Sequence, residues 1–231
     1  MTTPAERSRA ELDRVEAIYD GIAPEWDARQ GMVERMLMGQ PMRDSLASLL
    51  KGDVLELGTG TGPTLRLLAG NLLVTSFTGV DLSHGMLDQA RQHTAGIVFP
   101  VTLTQMNAEH LDFADNHFDT VTTSLMLCTV PDPTVALQEM ARVCKPDGLI
   151  VLLEHVRARN PLLAGMQKML NPLQVRMLGC HLDRPTNRLI RDLGFRVEAE
   201  QTRFFGIFHL IVARPPIPAS KGYRSGAENS T

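Results

Sequence analysis

Between Asp53 and Pro63 the chain reads DVLELGTGTGP, an acidic residue closing a short apolar run, followed by three glycines at alternating positions. Val54 to Leu57 has the length of a buried strand, Gly58 to Gly62 forces a tight turn, and Thr64 to Ala69 resumes as a helix. Units of this kind bind nucleotides: a turn without side chains lets a ligand approach the backbone, and the helix start offers unpaired N–H groups. The dinucleotide pattern G-x-G-x-x-G fails, because Pro63 stands where its third glycine belongs. Glu56, ending the strand, would repel a pyrophosphate but suits a cation, directly or through water. Asp81 follows about 20 residues later, at the end of a second apolar run, where a carboxylate can accept from both hydroxyls of a ribose.

The pattern E-x-G-x-G-x-G from Glu56 to Gly62 resembles the first motif of the class I S-adenosylmethionine-dependent methyltransferases. The resemblance implies an α/β fold, a doubly wound, mostly parallel, Rossmann-like sheet of seven strands, with S-adenosyl-L-methionine as cofactor. It gives Glu56 the cationic methionine moiety, Gly58, Thr59, Gly60 and Gly62 the turn, and Asp81 the ribose. Leu82 and Met86, in Asp81-Leu-Ser-His-Gly-Met86, would line the adenosine pocket, and Asn107 with Ala108 would read the adenine amino group. Asn is also a common turn residue. Ser124 and Leu125, ending the fourth strand after His117-Phe-Asp119, would lie near the transferable methyl. Tyr19 to Asp27 is similar to the Y-D-x-x-A-x-x-W/Y segment of quinone-biosynthesis and small-molecule methyltransferases, whose aromatics close over the cofactor; Tyr19 and Trp26 could equally be core aromatics. Lys145-Pro-Asp-Gly148 departs from the usual K/R-P-G-G at Asp147, a residue that tolerates left-handed geometry. Glu154-His155, Asn171-Pro172 and Gly179 to Arg184 resemble the alkyl-thiol methyltransferases of animals and their bacterial relatives.

Composition bounds the rest. A chain of 231 residues holds one domain with a proper core. A net charge of -3 gives no global pull toward nucleic acid, there is no N-P-P-Y or D-P-P-Y segment, and basic residues do not cluster with aromatics. There is no G-x-S-x-G elbow, P-loop lysine or H-E-x-x-H. Cys128, Cys144 and Cys180 are an odd, widely spaced set, read as reduced thiols of a cytoplasmic protein. Cys180-His181 with Cys128 and Cys144 matches no zinc spacing, so no metal is expected. The N-terminus has no signal-peptide core, and no run approaches a membrane span.

The elements that must position these groups follow from periodicity. Helices are expected over Ala5–Asp20 and Met32–Leu50, an N-terminal cap (1–50) on one domain of residues 1–214. Further strands are expected over Ser76–Val80, between Ile97 and Gln105, and over Phe118–Leu125, Leu149–Leu153, Arg196–Arg203 and Phe208–Arg214. Helices are expected over His84–His93, from Pro133 to Val143 and over Arg184–Leu193, with residues 215–231 a disordered tail. Residues 156–183 carry Leu162, Leu163, Met166, Met169, Leu170, Leu173, Met177 and Leu178 at spacings of three and four, read as a lid that wraps the acceptor or as an extra core helix. His155 and His181 are candidate acceptor bases, or structural histidines.

These readings converge on methyl transfer to a heteroatom of a moderately apolar small molecule, sulfur before nitrogen or oxygen. A thiol with a pKa near 8.5 needs the least help in losing its proton. The alternatives are a phospholipid or quinone methyltransferase in transient contact with a membrane surface, and a cofactor-binding regulator without catalysis. Monomer and homodimer are both compatible with the sequence.

Overall fold

The computed structural model describes residues 4–28 and 36–217. In chain order the elements are α1 (Pro4–Ile22), a 3-10 turn (Ala23–Glu25), α2 (Gln40–Leu49), β1 (Gly52–Leu57), α3 (Pro63–Leu67), β2 (Val74–Asp81), α4 (His84–Arg91) and β3 (Val101–Gln105). β4 (Phe118–Ser124), α5 (Pro133–Val143), β5 (Cys144–His155), α6 (Pro161–Leu178), α7 (Thr186–Asp192), β6 (Arg196–Arg203) and β7 (Phe208–Arg214) follow. The start expected for the second helix at Met32, and all but residues 215–217 of the tail, lie outside the described residues.

One sheet of seven strands runs β3-β2-β1-β4-β5-β7-β6. β1 to β5 are parallel; β7 is antiparallel to both β5 and β6. Both faces are covered, so β5 carries the unbroken apolar run Leu149–Leu153, while β4 fills buried positions with Thr120, Thr122 and Thr123. Alternate residues feed opposite cores: Leu55, Leu57, Val121, Ile150 and Leu152 pack toward α5 and α7, while Val54, Val151 and Leu153 join Leu46, Leu65 and Phe77 on the other side. From β1 the chain winds outward through β2 and β3, then returns to β4 on β1's other flank. The carboxyl ends of β1 and β4 therefore flank the point where a doubly wound sheet opens a crevice.

Two expectations change in detail. Lys145 to Gly148 is not a turn ahead of the fifth strand, because β5 already begins at Cys144. Phe118 pairs with Cys144 and Thr120 with Leu149, so these four residues bulge out opposite Asp119 alone. Lys145 Nζ bonds the Asp119 carboxylate there at 2.5 Å. The N-terminal helix also runs further, and Asp20 near its end accepts from Ser83 Oγ (2.6 Å) and Gly85 N (2.8 Å) at the start of α4.

Candidate active site

A cavity of about 240 Å³ opens at the carboxyl ends of β1, β2, β4 and β5, roofed by α1 and the segment after it. Its floor at one end is the glycine turn. Gly58 N and Thr59 N both donate to Val80 O, at 2.8 and 3.0 Å, tying the turn to β2. Gly58 is at φ +67, and a Cβ there would collide with the Met126 side chain. Gly60 is at φ +57, yet a Cβ on it would meet nothing within 4 Å: it would stand in open space at a residue that lines the cavity. Without a side chain, the Gly60 backbone stays open to the cavity.

Asp81 lines the same end. Its Oδ2 accepts from Gly60 N (2.8 Å) and its Oδ1 from Ser83 N (2.9 Å). Burial raises its pKa, against the pull of those two backbone N–H groups. An ionised carboxylate has further lone pairs, so both oxygens can accept again. Ser83 caps α4 through its hydroxyl, as its place before His84 suggests. Leu82, Met86, Asn107 and Ala108 also line the cavity. Asn107 Oδ1 accepts from Glu109 N at 2.9 Å, which fixes the turn, and the residue lines the cavity. Tyr19 and Trp26 form part of the roof, with ring centroids 5.4 Å apart.

Glu56 and Gly62 are not among the cavity-lining residues. Glu56 is buried below the turn, accepting from Thr59 Oγ1 at 2.9 Å. Burial pushes its pKa up to about 7, against hydrogen bonds from Thr64 and Thr59. Gly62 is the αL cap of α3, where a Cβ would press on Ala90. Sequence reasoning missed the groups that clamp the roof. Asp27 accepts from Thr61 Oγ1 at 2.6 Å and pairs with Arg66, binding the N-terminal segment to the glycine turn as Asp20 binds it to α4. Both aspartates sit beside the aromatics of the segment Tyr19 to Asp27, which was the available signal.

The opposite end of the cavity has a different chemistry. Ser124 and Leu125 lead into it, Leu125 at φ +57, a conformation that costs a non-glycine residue about 1 to 3 kcal/mol and gathers at functional sites. Beyond them Cys128, His155 and Cys180 line the wall. His155 Nε2 is 3.2 Å from Cys180 Sγ. The Cys180 thiol is pulled below the ordinary thiol range, first by its hydrogen bond with Cys128 and then by His155 against the cost of burial, while the same hydrogen bond and burial push Cys128 up. Buried Glu154 holds the turn after β4, its Oε1 accepting from Met126 N and Leu127 N at 3.1 and 3.2 Å, and burial pushes its pKa to about 7. His181 does not line the cavity: its backbone N donates to Cys128 O at 2.8 Å, and burial lowers the ring's pKa. Cys144 lies apart in the core, its thiol pushed up to about 12 by burial.

The lid expectation needs correction. Met166, Met169, Leu173 and Met177 do not line the cavity; they are 53 to 72% exposed. Ala164, Gln167, Asn171, Gln174 and Leu178 form the inward face of α6 instead. Buried Gln167 donates to Val156 O and Leu182 O and accepts from Ala158 N, while Asn171 Oδ1 accepts from Leu182 N. The periodicity identified a stripe but not its direction, and these amide bonds turn the polar stripe in and the apolar stripe out. From α6 only Gln174 and Leu178 reach the cavity, followed by Cys180 and Leu182.

Residues 55–152 match the family model described as a methyltransferase domain. Over 153 residues the chain is 39% identical to a phosphatidylethanolamine N-methyltransferase of Cereibacter sphaeroides, a match covering 65% of this chain and 73% of that one. Over 146 residues it is 36% identical to the ubiquinone/menaquinone biosynthesis C-methyltransferase UbiE of Desulfotalea psychrophila, covering 61% of this chain and 57% of that one. The fold matches that of the DhpI–SAH complex with a TM-score of 0.67 at 21% identity, over 90% of this chain and 98% of that one. The chain belongs to the S-adenosylmethionine-dependent methyltransferases of the methyltransferase-domain family. It is an enzyme, and S-adenosylmethionine is its cofactor.

Proposed function

We propose that this enzyme moves a methyl group to a heteroatom, sulfur first, of a moderately apolar small molecule. The observation that carries the proposal is that one cavity joins Gly60 and Asp81 at one end to the hydrogen-bonded His155 and Cys180 at the other. S-adenosylmethionine supplies a methyl group on a cationic sulfonium. Asp81 accepts from the ribose hydroxyls, Gly60 gives backbone access, Asn107 and Ala108 face the adenine, and Leu82 and Met86 pack the adenosine. Glu56, ionised, balances the cationic moiety from below the turn with Gly58, Thr59 and Gly62 shaping it. Tyr19 and Trp26 exclude water from above. Holding two reactants in line supplies about 7 to 11 kcal/mol of barrier reduction, so the wall beyond Ser124 and Leu125 need only orient the acceptor and receive its proton. The His155–Cys180 pair gives that proton a destination, and His181 stands behind it as a positioning residue. Leu178, Leu182 and Phe208 offer the acceptor an apolar bed.

A second reading has its own support. The outward face of α6 is apolar and flanked by exposed Arg157, Arg159, Lys168 and Arg176. Exposed apolar stripes of this extent usually meet a partner or a lipid surface, and a relative is named for phosphatidylethanolamine. Among the described residues no helix is long and apolar enough to cross a membrane. The free cysteines suit a reducing compartment, and we place the enzyme in the cytoplasm as one domain over residues 1–214.

A panel of alkyl thiols, quinols and phosphatidylethanolamine vesicles, assayed with labelled S-adenosylmethionine and mass detection, tests the choice. S-methylated thiols support the first reading. Methylated phosphatidylethanolamine or quinol, with thiols untouched, replaces it with the second.

A further inference from the structure

Cys128 comes from the turn after β4, His155 is the last residue of β5, and Cys180 follows the cap of α6. The residues lie far apart in the chain and form no sequence motif, yet their Sγ, imidazole N and Sγ atoms all lie within 4.8 Å of one another. His155 Nε2 and Cys180 Sγ are 3.2 Å apart. Both cysteines are buried, at 3 and 8% exposure, His155 is at 9%, and all three face the cavity. The backbone holds the set together, since His181 N donates to Cys128 O at 2.8 Å.

We infer that Cys128, His155 and Cys180 are a three-ligand site for Zn²⁺, with its fourth position open to the cavity and able to take the sulfur of a thiol acceptor. Tetrahedral Zn²⁺, with bonds of about 2.3 Å to sulfur and 2.0 to 2.1 Å to nitrogen, sets its ligand atoms about 3.5 to 3.8 Å apart. From separations of at most 4.8 Å the cluster would contract by no more than about 1.3 Å, while the 3.2 Å His155–Cys180 pair would open by about 0.3 Å. Two thiolates and one imidazole suit zinc and exclude the oxygen-seeking Mg²⁺ and Ca²⁺. Three protein ligands with a vacant fourth position is the pattern of reactive zinc sites rather than structural ones. On binding, Cys128 and Cys180 each release any proton they carry to solvent as their sulfur takes the metal. With zinc bound, His155 and Cys180 are ligands and no longer receive the acceptor's proton: the thiol's S–H bond breaks, the proton goes to water, and the sulfur lone pair forms the fourth bond. The His155–Cys180 hydrogen bond is then the metal-free form of the same site. The fourth ligand rests on the proposed thiol reading; the metal site stands on the geometry alone.

The test uses the full chain, kept reduced, stripped with a chelator and dialysed against Zn²⁺ or Co²⁺. About one Zn²⁺ per chain is expected, falling to background in Cys128→Ser and Cys180→Ser and retained in Cys144→Ser and His181→Gln. The Co²⁺ form should show a thiolate charge-transfer band and the intense visible bands of a four-coordinate ion, shifting when an alkyl thiol is added. Background zinc in the unaltered protein, or equal zinc in the two ligand variants, overturns the site. A cobalt spectrum indifferent to thiol overturns the open position. Calorimetry with S-adenosylhomocysteine on every variant reports folding and tests the cofactor site independently: normal binding without zinc removes the metal and leaves the methyltransferase proposal standing, whereas zinc without S-adenosylhomocysteine binding removes the cofactor assignment instead.

Discussion

The two ends of the cavity are built in opposite ways. At the glycine-turn end, the polar groups are fixed by neighbours in sequence or on the adjoining strand: Thr59 bonds Glu56, and Gly60 N and Ser83 N bond Asp81. At the cysteine–histidine end, three side chains from three distant elements meet, and the wall depends on how α6 is rotated by Gln167 and Asn171. The first end is rigid because short loops over-determine it. The second depends on the segment after β5, which supplies Gln174, Leu178, Cys180 and Leu182 to the wall.

The most severe way to break the first end without touching the second is Gly60→Val. A β-branched residue at φ +57 is strained and its side chain enters the cavity. S-adenosylhomocysteine binding is expected to fall below calorimetric detection, with the circular dichroism of the fold retained; normal binding would show that the turn is not the cofactor cradle. Next in size is Asp81→Ala. Losing charge-assisted bonds worth about 1.5 to 3 kcal/mol each should weaken S-adenosylhomocysteine tenfold or more, and leaving Gly60 N without its acceptor loosens the turn as well. Unchanged affinity would remove Asp81 from the site.

Glu56 sharpens the comparison through pH. Its folded pKa is raised from 4.5 to about 7. Below about 4.5 both folded and unfolded chains hold the proton; between 4.5 and 7 only the folded chain does; above 7 the folded chain carries a buried charge. The stability Glu56 contributes to the free protein is therefore present at low pH and lost as pH rises through that window. A cationic ligand favours the ionised form, so its affinity should run the other way. S-adenosylmethionine, which carries the sulfonium charge, should bind about tenfold more weakly at pH 6 than above 7, releasing a proton on binding. Calorimetry in two buffers of different ionisation enthalpy reads that proton, and Glu56→Gln should flatten the profile; a flat profile in the unaltered enzyme would separate Glu56 from the ligand.

The smallest effects test the second end. Leu178→Ser, inside the cavity, should raise the acceptor's KM by about 1 to 3 kcal/mol while S-adenosylhomocysteine binding stays within about twofold. Met166→Ser with Met169→Ser, on the exposed face, should change stability by no more than about 0.5 kcal/mol and leave the KM of a water-soluble acceptor unchanged. Loss of vesicle cosedimentation in that double variant would favour the lipid reading, and a raised KM for a soluble thiol would mean that α6 closes inward during turnover.

The sequence by itself determined the sheet and the glycine-turn end. Glycines, a strand-end carboxylate and the next strand's Asp81 act within about 20 residues of one another, and local geometry plus right-handed βαβ winding leaves them little freedom. Ser83 as a cap and Pro133 opening its helix were legible for the same reason. Three features belong to tertiary structure alone. Asp20 and Asp27 clamp the roof only because α1 folds back over α4 and the turn. The apolar stripe of α6 points outward because buried Gln167 and Asn171 find backbone partners that no periodicity records. Cys128, His155 and Cys180 meet because parallel strands bring the ends of β4 and β5 together and the chain after α6 returns to them. A side-chain cluster drawn from a strand end and two loop segments is set by packing over the whole sheet, and no spacing along the chain encodes it.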